Sequence, residues 1–313
     1  MNIKQKLQGI TVLDEIYTKW KWRERRVSYG SKHPDKTFFV VRRAYCKVGL
    51  FSHVMTNMGL VAYAVKQGYI PVIDMQNGRN TYLEEGKVGR ENAWEYYFEQ
   101  PCGYRLADIR DAKNVILSDG LITEKNEYPD FRVAEGGELF AYWHDIFQKY
   151  FKVKEDIRLE YEKIRKGMLG GAKTLGILAR GTDYVSSKPK GHPIQPTAEQ
   201  MIKKAKEIMK EHSCEKIYLA TEDADIYDRL KEEFGEALTA PDTERYTTKG
   251  MQNINDLRQE KDKYQKGKEY LLSMMLLAGC DCLAAGNVGG THGALLMSDG
   301  FEYCYIFDLG KYQ

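Results

Sequence analysis

Short apolar runs, each followed by a stretch of helical period, recur along most of the chain. The run TFFVV at 37–41 predicts a strand and 51–66 a helix; 69–73 predicts a second strand, 90–100 a helix and 114–117 a third strand. Two successive helices follow at 137–150 and 155–166, the second charged along nearly all of one side. After Gly167-Met-Leu-Gly-Gly-Ala the pattern restarts more sharply, with TLGILA at 174–179 as a strand. The helix at 197–212 opens on Thr197 as N-cap, with Gln200 in the capping-box position. KIYLA at 216–220 is a strand and 225–234 a helix; 268–278 is a helix, 282–285 a strand, 290–297 a short helix and 302–307 a last strand. The charge-rich stretch 243–266 fits neither period and reads as a long loop or surface helix.

Strands alternating with helices predict an α/β protein with parallel sheets. At roughly 150 residues per domain the 313 residues suffice for two domains, and the glycine-rich break separates 1–168 from 169–313. The expected architecture is two Rossmann-like domains facing a cleft. Composition changes this picture little. Lys and Arg number 47 against 45 Asp and Glu, so the net charge of +2 carries no general footprint for nucleic acid or an anionic membrane. Six cysteines with no CxxC pair read as reduced structural thiols. The first 22 residues lack an apolar signal core, and no run is long enough for a transmembrane segment, so the expected compartment is cytoplasmic.

Ligands of an open parallel sheet sit beyond the carboxyl ends of its strands, and four polar stretches fall there. In Lys47-Val-Gly-Leu-Phe-Ser-His, Gly49 permits a tight turn and Ser52 and His53 stand at a helix N-terminus that favours an anion; the alternative is a plain turn with a buried histidine. Ala179-Arg-Gly-Thr-Asp-Tyr sets Arg180 at a strand end, where guanidinium can hold phosphate bidentately. There Gly181 admits close backbone approach, Thr182 and Asp183 add polar groups, and Lys188, Lys190 and His192 follow; the alternative is an Arg180–Asp183 ion pair and a solvated loop. Thr221-Glu-Asp-Ala-Asp offers Thr221, Glu222 and Asp223; its Asp-x-Asp could hold a hard cation or cap a helix, and the cap is assigned to Asp225. Gly286-Asn-Val-Gly-Gly-Thr-His-Gly exposes backbone amides around Asn287, Gly289 and Gly290, with the Thr291 hydroxyl beside them. His33, His144 and His212 are isolated, and 271–277 is core at helical period.

Together these stretches resemble the fucosyltransferase superfamily that includes nodulation fucosyltransferases, alpha-1,6-fucosyltransferases and protein O-fucosyltransferases. Leu178-Ala-Arg-Gly-Thr-Asp-Tyr is similar to its His-x-Arg-Arg/Gly-x-Asp motif, Tyr218-Leu-Ala-Thr-Glu-Asp to its second motif and 281–291 to its third. Gly49-Leu-Phe-Ser-His, followed by a helix and 69–74, is similar to its N-terminal glycine motif. The resemblance implies a GT-B-like fold, with an acceptor side at 1–168 and a nucleotide sugar, GDP-fucose or another, held by 169–313. It also implies metal-independent inverting transfer to a glycan acceptor, no cofactor, and a place in polysaccharide assembly. Arg180 matches the arginine that neutralises the departing diphosphate; the base is unassigned, with His192 and Asp183 as candidates within proton-transfer reach. The sequence departs from the family with Leu178 at the motif's histidine and Gly181 at its second arginine. The acidic residue that contacts guanine falls at Ser273, with Glu269 one turn earlier, and the base of some members falls near Lys188, which cannot serve while protonated. Two other classes fit the same residues: a non-catalytic nucleotide- or glycan-binding protein, and a GT-B enzyme with another donor.

Overall fold

The computed structural model describes residues 15–44, 48–121, 127–181, 188–247 and 262–313. The chain divides into two compact units, Met1–Pro129 with Lys149–Lys152, and Asp130–Gln148 with Val153–Gln313.

The first unit carries a sheet of β1 (Arg25–Val27), β2 (Lys32–Val41), β3 (Ile70–Ile73) and β4 (Ala112–Leu117), in the order β1-β4-β2-β3. β2 is parallel to β3 and β4, and β1 runs antiparallel along β4. Phe38, Phe39, Val40 and Val41 are each at most 2% exposed, because a central parallel strand is covered on both faces and reads as an unbroken apolar run. Helix α1 (Leu50–Lys66) makes the crossover from β2 to β3. The helix expected at 90–100 is instead a single 3-10 turn, Ala93–Tyr96. Trp94, Tyr97 and Phe98 are fully buried and mimic helical period. The flanking amides hold the segment otherwise. Asn92 accepts from Met75 N–H (3.0 Å) and donates to Ile73 O (2.8 Å), while Gln100 accepts from Ile73 N–H (2.8 Å) and donates to Ile73 O (3.0 Å). β3 is an edge strand, and these side chains satisfy backbone groups at its end.

The second unit carries an all-parallel sheet of β5 (Thr174–Leu178), β6 (Lys216–Ala220), β7 (Leu238–Thr239), β8 (Cys282–Gly286) and β9 (Tyr303–Phe307), in the order β7-β6-β5-β8-β9. Six helices accompany it among the described residues: α2 (Gly137–Tyr150), α3 (Glu155–Met168), α4 (Ala198–Glu211), α5 (Ala224–Phe234), α6 (Lys263–Ala278) and α7 (Gly289–Met297). α4 turns Met201, Ala205 and Ile208 onto Leu175, Ile177, Ile217 and Leu219, and Thr197 with Gln200 closes the capping box at its start. The expected 268–278 helix begins earlier, at Lys263, because the Asp262 side chain accepts from Tyr264 and Gln265 N–H. Among the described residues the five cysteines are free, and no helix is long and apolar enough to cross a membrane.

The division between units lies earlier than the 168/169 break, because most of α2 and all of α3 belong to the second unit. His144 and Gln148 of α2 bond the Ser298 and Leu296 carbonyls at the end of α7, which the helix itself leaves unsatisfied. Glu160 of α3 pairs with Lys268 of α6 at 2.7 Å.

Gly176 lets α6 approach the sheet: a Cβ there would lie 2.8 Å from Leu277 Cδ1 and 3.1 Å from Cys280 Sγ. Gly176→Val is expected to lower stability by about 1–3 kcal/mol through overpacking, read as a shift of the urea midpoint at unchanged m.

Candidate functional site

The chain leaves β5 for β6 and β7 on one side, then returns to place β8 on the other side of β5. The sheet therefore reverses direction between β5 and β8, which is where open α/β sheets bind ligands. Three of the four polar stretches read from the sequence follow β5, β6 and β8, three adjacent strands of this sheet.

Arg180 stands two residues past β5, and its Nε lies 3.3 Å from Glu222 Oε1, just past β6; the two side chains are only 21% and 13% exposed. The sequence named Asp183 as a possible ion-pair partner; Asp183 and Thr182 lie outside the described residues. Gly181 is buried against Asp223, and a Cβ at that position would come within 2.7 Å of Asp223 Cγ. A side chain as large as arginine cannot replace this glycine while Asp223 keeps its place. Asp223, not Asp225, is the cap of α5: its Oδ1 accepts from Ile226 N–H (3.0 Å), and its own N–H donates to Thr221 Oγ1 (3.2 Å). Asp225 lies in the first turn, where a carboxylate favours the helix dipole. Among the described residues no cluster of His, Cys, Asp or Glu is arranged to hold a metal ion.

Beside the β5 and β6 ends lies a pocket, partly open to solvent, lined by residues including Thr221, Glu222, Tyr246, Glu269, Tyr270 and Ser273. Tyr246 reaches it because its backbone continues the β6 end, donating to Glu222 O (2.8 Å) and accepting from Ala224 N–H (3.1 Å). Ser273 seats the buried Tyr218 phenol, 3.0 Å from Ser273 Oγ. Glu269 lines the same wall and accepts from Gln265 Nε2 at 3.0 Å. Leu178 also faces this cavity. Pattern reading missed Tyr246 and Tyr270: Tyr246 sits in the charge-rich stretch, which has no period to mark a lining residue, and Tyr270 lies on a helix whose period marks only its core face.

In the glycine-rich loop, Gly289 and Gly290 open α7, and a Cβ on Gly290 would meet Tyr270 Oη at 2.7 Å. The Thr291 hydroxyl, expected to face a ligand, is fully buried and donates to Gly286 O. Asn287 Nδ2 donates to Phe131 O (3.2 Å), so its Oδ1 is the acceptor facing His292 Nε2 at 2.7 Å and the histidine carries its proton on Nε2. Phe131 packs edge-on against both His192 and His292, with ring centroids 5.5 and 5.7 Å away. Burial lowers the pKa of His192, so it is held neutral. Lys188 is exposed, with φ of +44°. His292 was overlooked in the sequence because it follows Thr291 with no metal or nucleophile spacing; its signal was adjacency to the glycine-rich loop.

In the first unit, Gly49 caps α1 with its backbone, and a side chain there would meet open space. Arg43, past the end of β2, donates to Ser52 O (3.1 Å) and Ser52 Oγ (3.3 Å). His53, read as either an anion-site group or a buried histidine, is 2% exposed, and burial followed by the Arg43 charge pushes it down to about 3. It is a neutral core group.

His292 is likewise pushed down by burial, partly offset by Asp130, to about 4. Both histidines take up protons near the ordinary 6.5 only when the chain unfolds. Their contribution to stability is complete above that value and is lost as pH falls from 6.5 toward 4. The loss is expected to reach about 2–3 kcal/mol per histidine by pH 4.5. Denaturation midpoints measured from pH 7.5 to 4.5 should fall accordingly, and His292→Gln should flatten the slope.

The structure is similar to NodZ alpha-1,6-fucosyltransferase soaked with GDP-fucose at 17% identity, covering 84% of this chain and 93% of that one with a TM-score of 0.51. It is similar to fucosyltransferase NodZ from Bradyrhizobium at 16% identity, covering 88% and 97% with a TM-score of 0.52. POFUT1 in complex with GDP-fucose is similar at 10% identity, covering 88% and 99% with a TM-score of 0.50. No protein-family model matches the chain, and no curated protein matches it in sequence. The fold is α/β with parallel sheets, of the GT-B fucosyltransferase kind that the sequence motifs resemble.

Proposed function

We propose that the protein is a glycosyltransferase that moves fucose from GDP-fucose to a hydroxyl of a glycan acceptor, with inversion and without a metal. The observation that carries the reading is Arg180, oriented by Glu222 at the carboxyl edge of the second sheet, beside both the cavity and the glycine-rich loop after β8. The fold neighbours named with GDP-fucose supply the donor class.

In this reading guanine enters the cavity, with Glu269 accepting from its ring N–H edge in place of an acid at Ser273, and Tyr246 or Tyr270 packing on the base or ribose. The diphosphate meets Arg180 and the backbone around Gly289 and Gly290. Cleavage of the sugar C–O bond leaves charge on the diphosphate, and a guanidinium already held in place stabilises it without reorganising. The acceptor oxygen forms the new bond to the anomeric carbon and gives up its proton to a base. His192, neutral and beside Phe131, is the described candidate for that base. Glu222 is a positioning residue: it fixes the guanidinium and need not touch the donor. Gly49 and Ser52 at the start of α1, and Lys188 after Arg180, are assigned to the donor from their positions in the sequence. A role in polysaccharide assembly rests on the resemblance as well.

Leu178 on the cavity wall, where the family's motif has histidine, favours a second reading in which the protein binds the nucleotide sugar without turning it over. One set of measurements separates them. Thermal shifts with GDP, UDP, ADP and CDP should single out GDP, with no effect of EDTA, and GDP-fucose with an acceptor should release GDP. Arg180→Ala should reduce release by about 100- to 1000-fold, with Arg180→Lys restoring only part because its point charge lacks the bidentate fork. Full activity in Arg180→Ala would overturn the assignment, and a GDP shift without release would establish the binding reading.

A further inference from the structure

The residues at 15–22 form a helix whose exposed face is apolar. Ile16, Tyr17 and Trp20 are 59%, 58% and 57% exposed. At the helical repeat these three fall within about 100° of one another, with Lys19 on one flank, Lys21 on the other and Trp22 on the opposite side. Trp22 is what fixes the helix to its unit. Its carbonyl accepts from Gly120 N–H (2.9 Å). Its ring lies so close to Gly120 that a Cβ there would sit 3.0 Å from Trp22 Cδ2, and the Arg42 guanidinium carbon lies 5.4 Å from the ring centroid. The outward rings are ordered too: Tyr17 and Trp20 stack at 6.3 Å, and the Arg23 guanidinium lies 4.8 Å from the Trp20 ring centroid.

We infer that this helix docks the protein onto an anionic lipid bilayer surface, lying in the interface with Ile16, Tyr17 and Trp20 immersed. Trp and Tyr with one apolar end and one polar end suit the headgroup boundary, and an aliphatic residue beside them adds depth. The rim is basic: Lys19, Lys21, Arg23, Arg25 and Arg26 are all exposed, against only Glu15 and Glu24 across 15–26. This local excess exists although the whole chain carries only +2. It also decides between occupants. A second copy seated on the same face would bring two basic rims together, as an isologous contact must, whereas an anionic surface neutralises both flanks.

The test is cosedimentation of the full chain with vesicles of phosphatidylcholine alone and of phosphatidylcholine mixed equally with phosphatidylglycerol, at low and high salt. Binding is expected to the mixed vesicles only, weakened by salt. Each basic residue near the surface contributes roughly a five-fold factor, so the double variant Lys19→Gln/Lys21→Gln should bind about 25-fold more weakly. Trp20→Ser should lose at least about ten-fold by removing interfacial burial. All these side chains are exposed, so circular dichroism and the unfolding midpoint of each variant should match the parent. Absence of binding to the mixed vesicles, or equal binding by the Trp20→Ser variant, would overturn the inference. Concentration-dependent self-association abolished by Trp20→Ser, without vesicle binding, would overturn it in favour of a second copy.

Discussion

The second sheet is covered on both faces, and that constraint shapes what surrounds it. Leu175, Ile177, Ile217, Leu219 and Leu283 have essentially no exposed surface, so the strands offer no room for a polar group along their length. Polar side chains can enter only where the strands stop and backbone pairing ends. Arg180, Glu222 and Asn287 each appear within two residues of a strand end, and the order of the strands brings the three ends side by side. The Arg180–Glu222 pair follows from this placement. Two largely buried charges at adjacent strand ends must meet, because either one left alone in that setting would carry a large desolvation cost.

The same burial explains why so much of this unit was legible beforehand. Parallel strands write themselves as apolar runs, and TLGIL, KIYLA and CLAAG stand out for that reason. The capping box at Thr197 is a local signal, and local contacts realise it. Less could be read where side-chain hydrogen bonds replace a period. Trp94, Tyr97 and Phe98 have helical spacing, yet Asn92 and Gln100 tie that segment to Ile73. β1 is RRV, two of its three residues exposed, and no hydrophobic alternation marks it. Asp223 and Asp225 are equally good caps by type; only the turn geometry after β6 chooses Asp223.

The candidate site was legible as strand-end chemistry but not as a set of partnerships. Arg180 was identifiable from its position after an apolar run, whereas Glu222 as its partner required knowing that β6 lies next to β5. Thr291 has the residue type of a ligand donor, and its burial with a local carbonyl partner could not be read from type. Asn287 and His292 lie five residues apart, and their contact needs α7 to turn back over its own entry loop. Non-local pairing and short-range folding of loops are the two kinds of information a period does not encode.

The contact between Gly181 and Asp223 links two positions far apart in the chain. The carboxylate that caps α5 occupies the space into which a side chain at 181 would grow. In this chain position 181 therefore cannot take a large side chain while Asp223 remains the cap. An arginine arriving first at 181 would displace Asp223 and uncap a helix, and loss of Asp223 first would uncap it with nothing gained. The residue choices at two sites forty-two positions apart are thus coupled through the cap of a single helix.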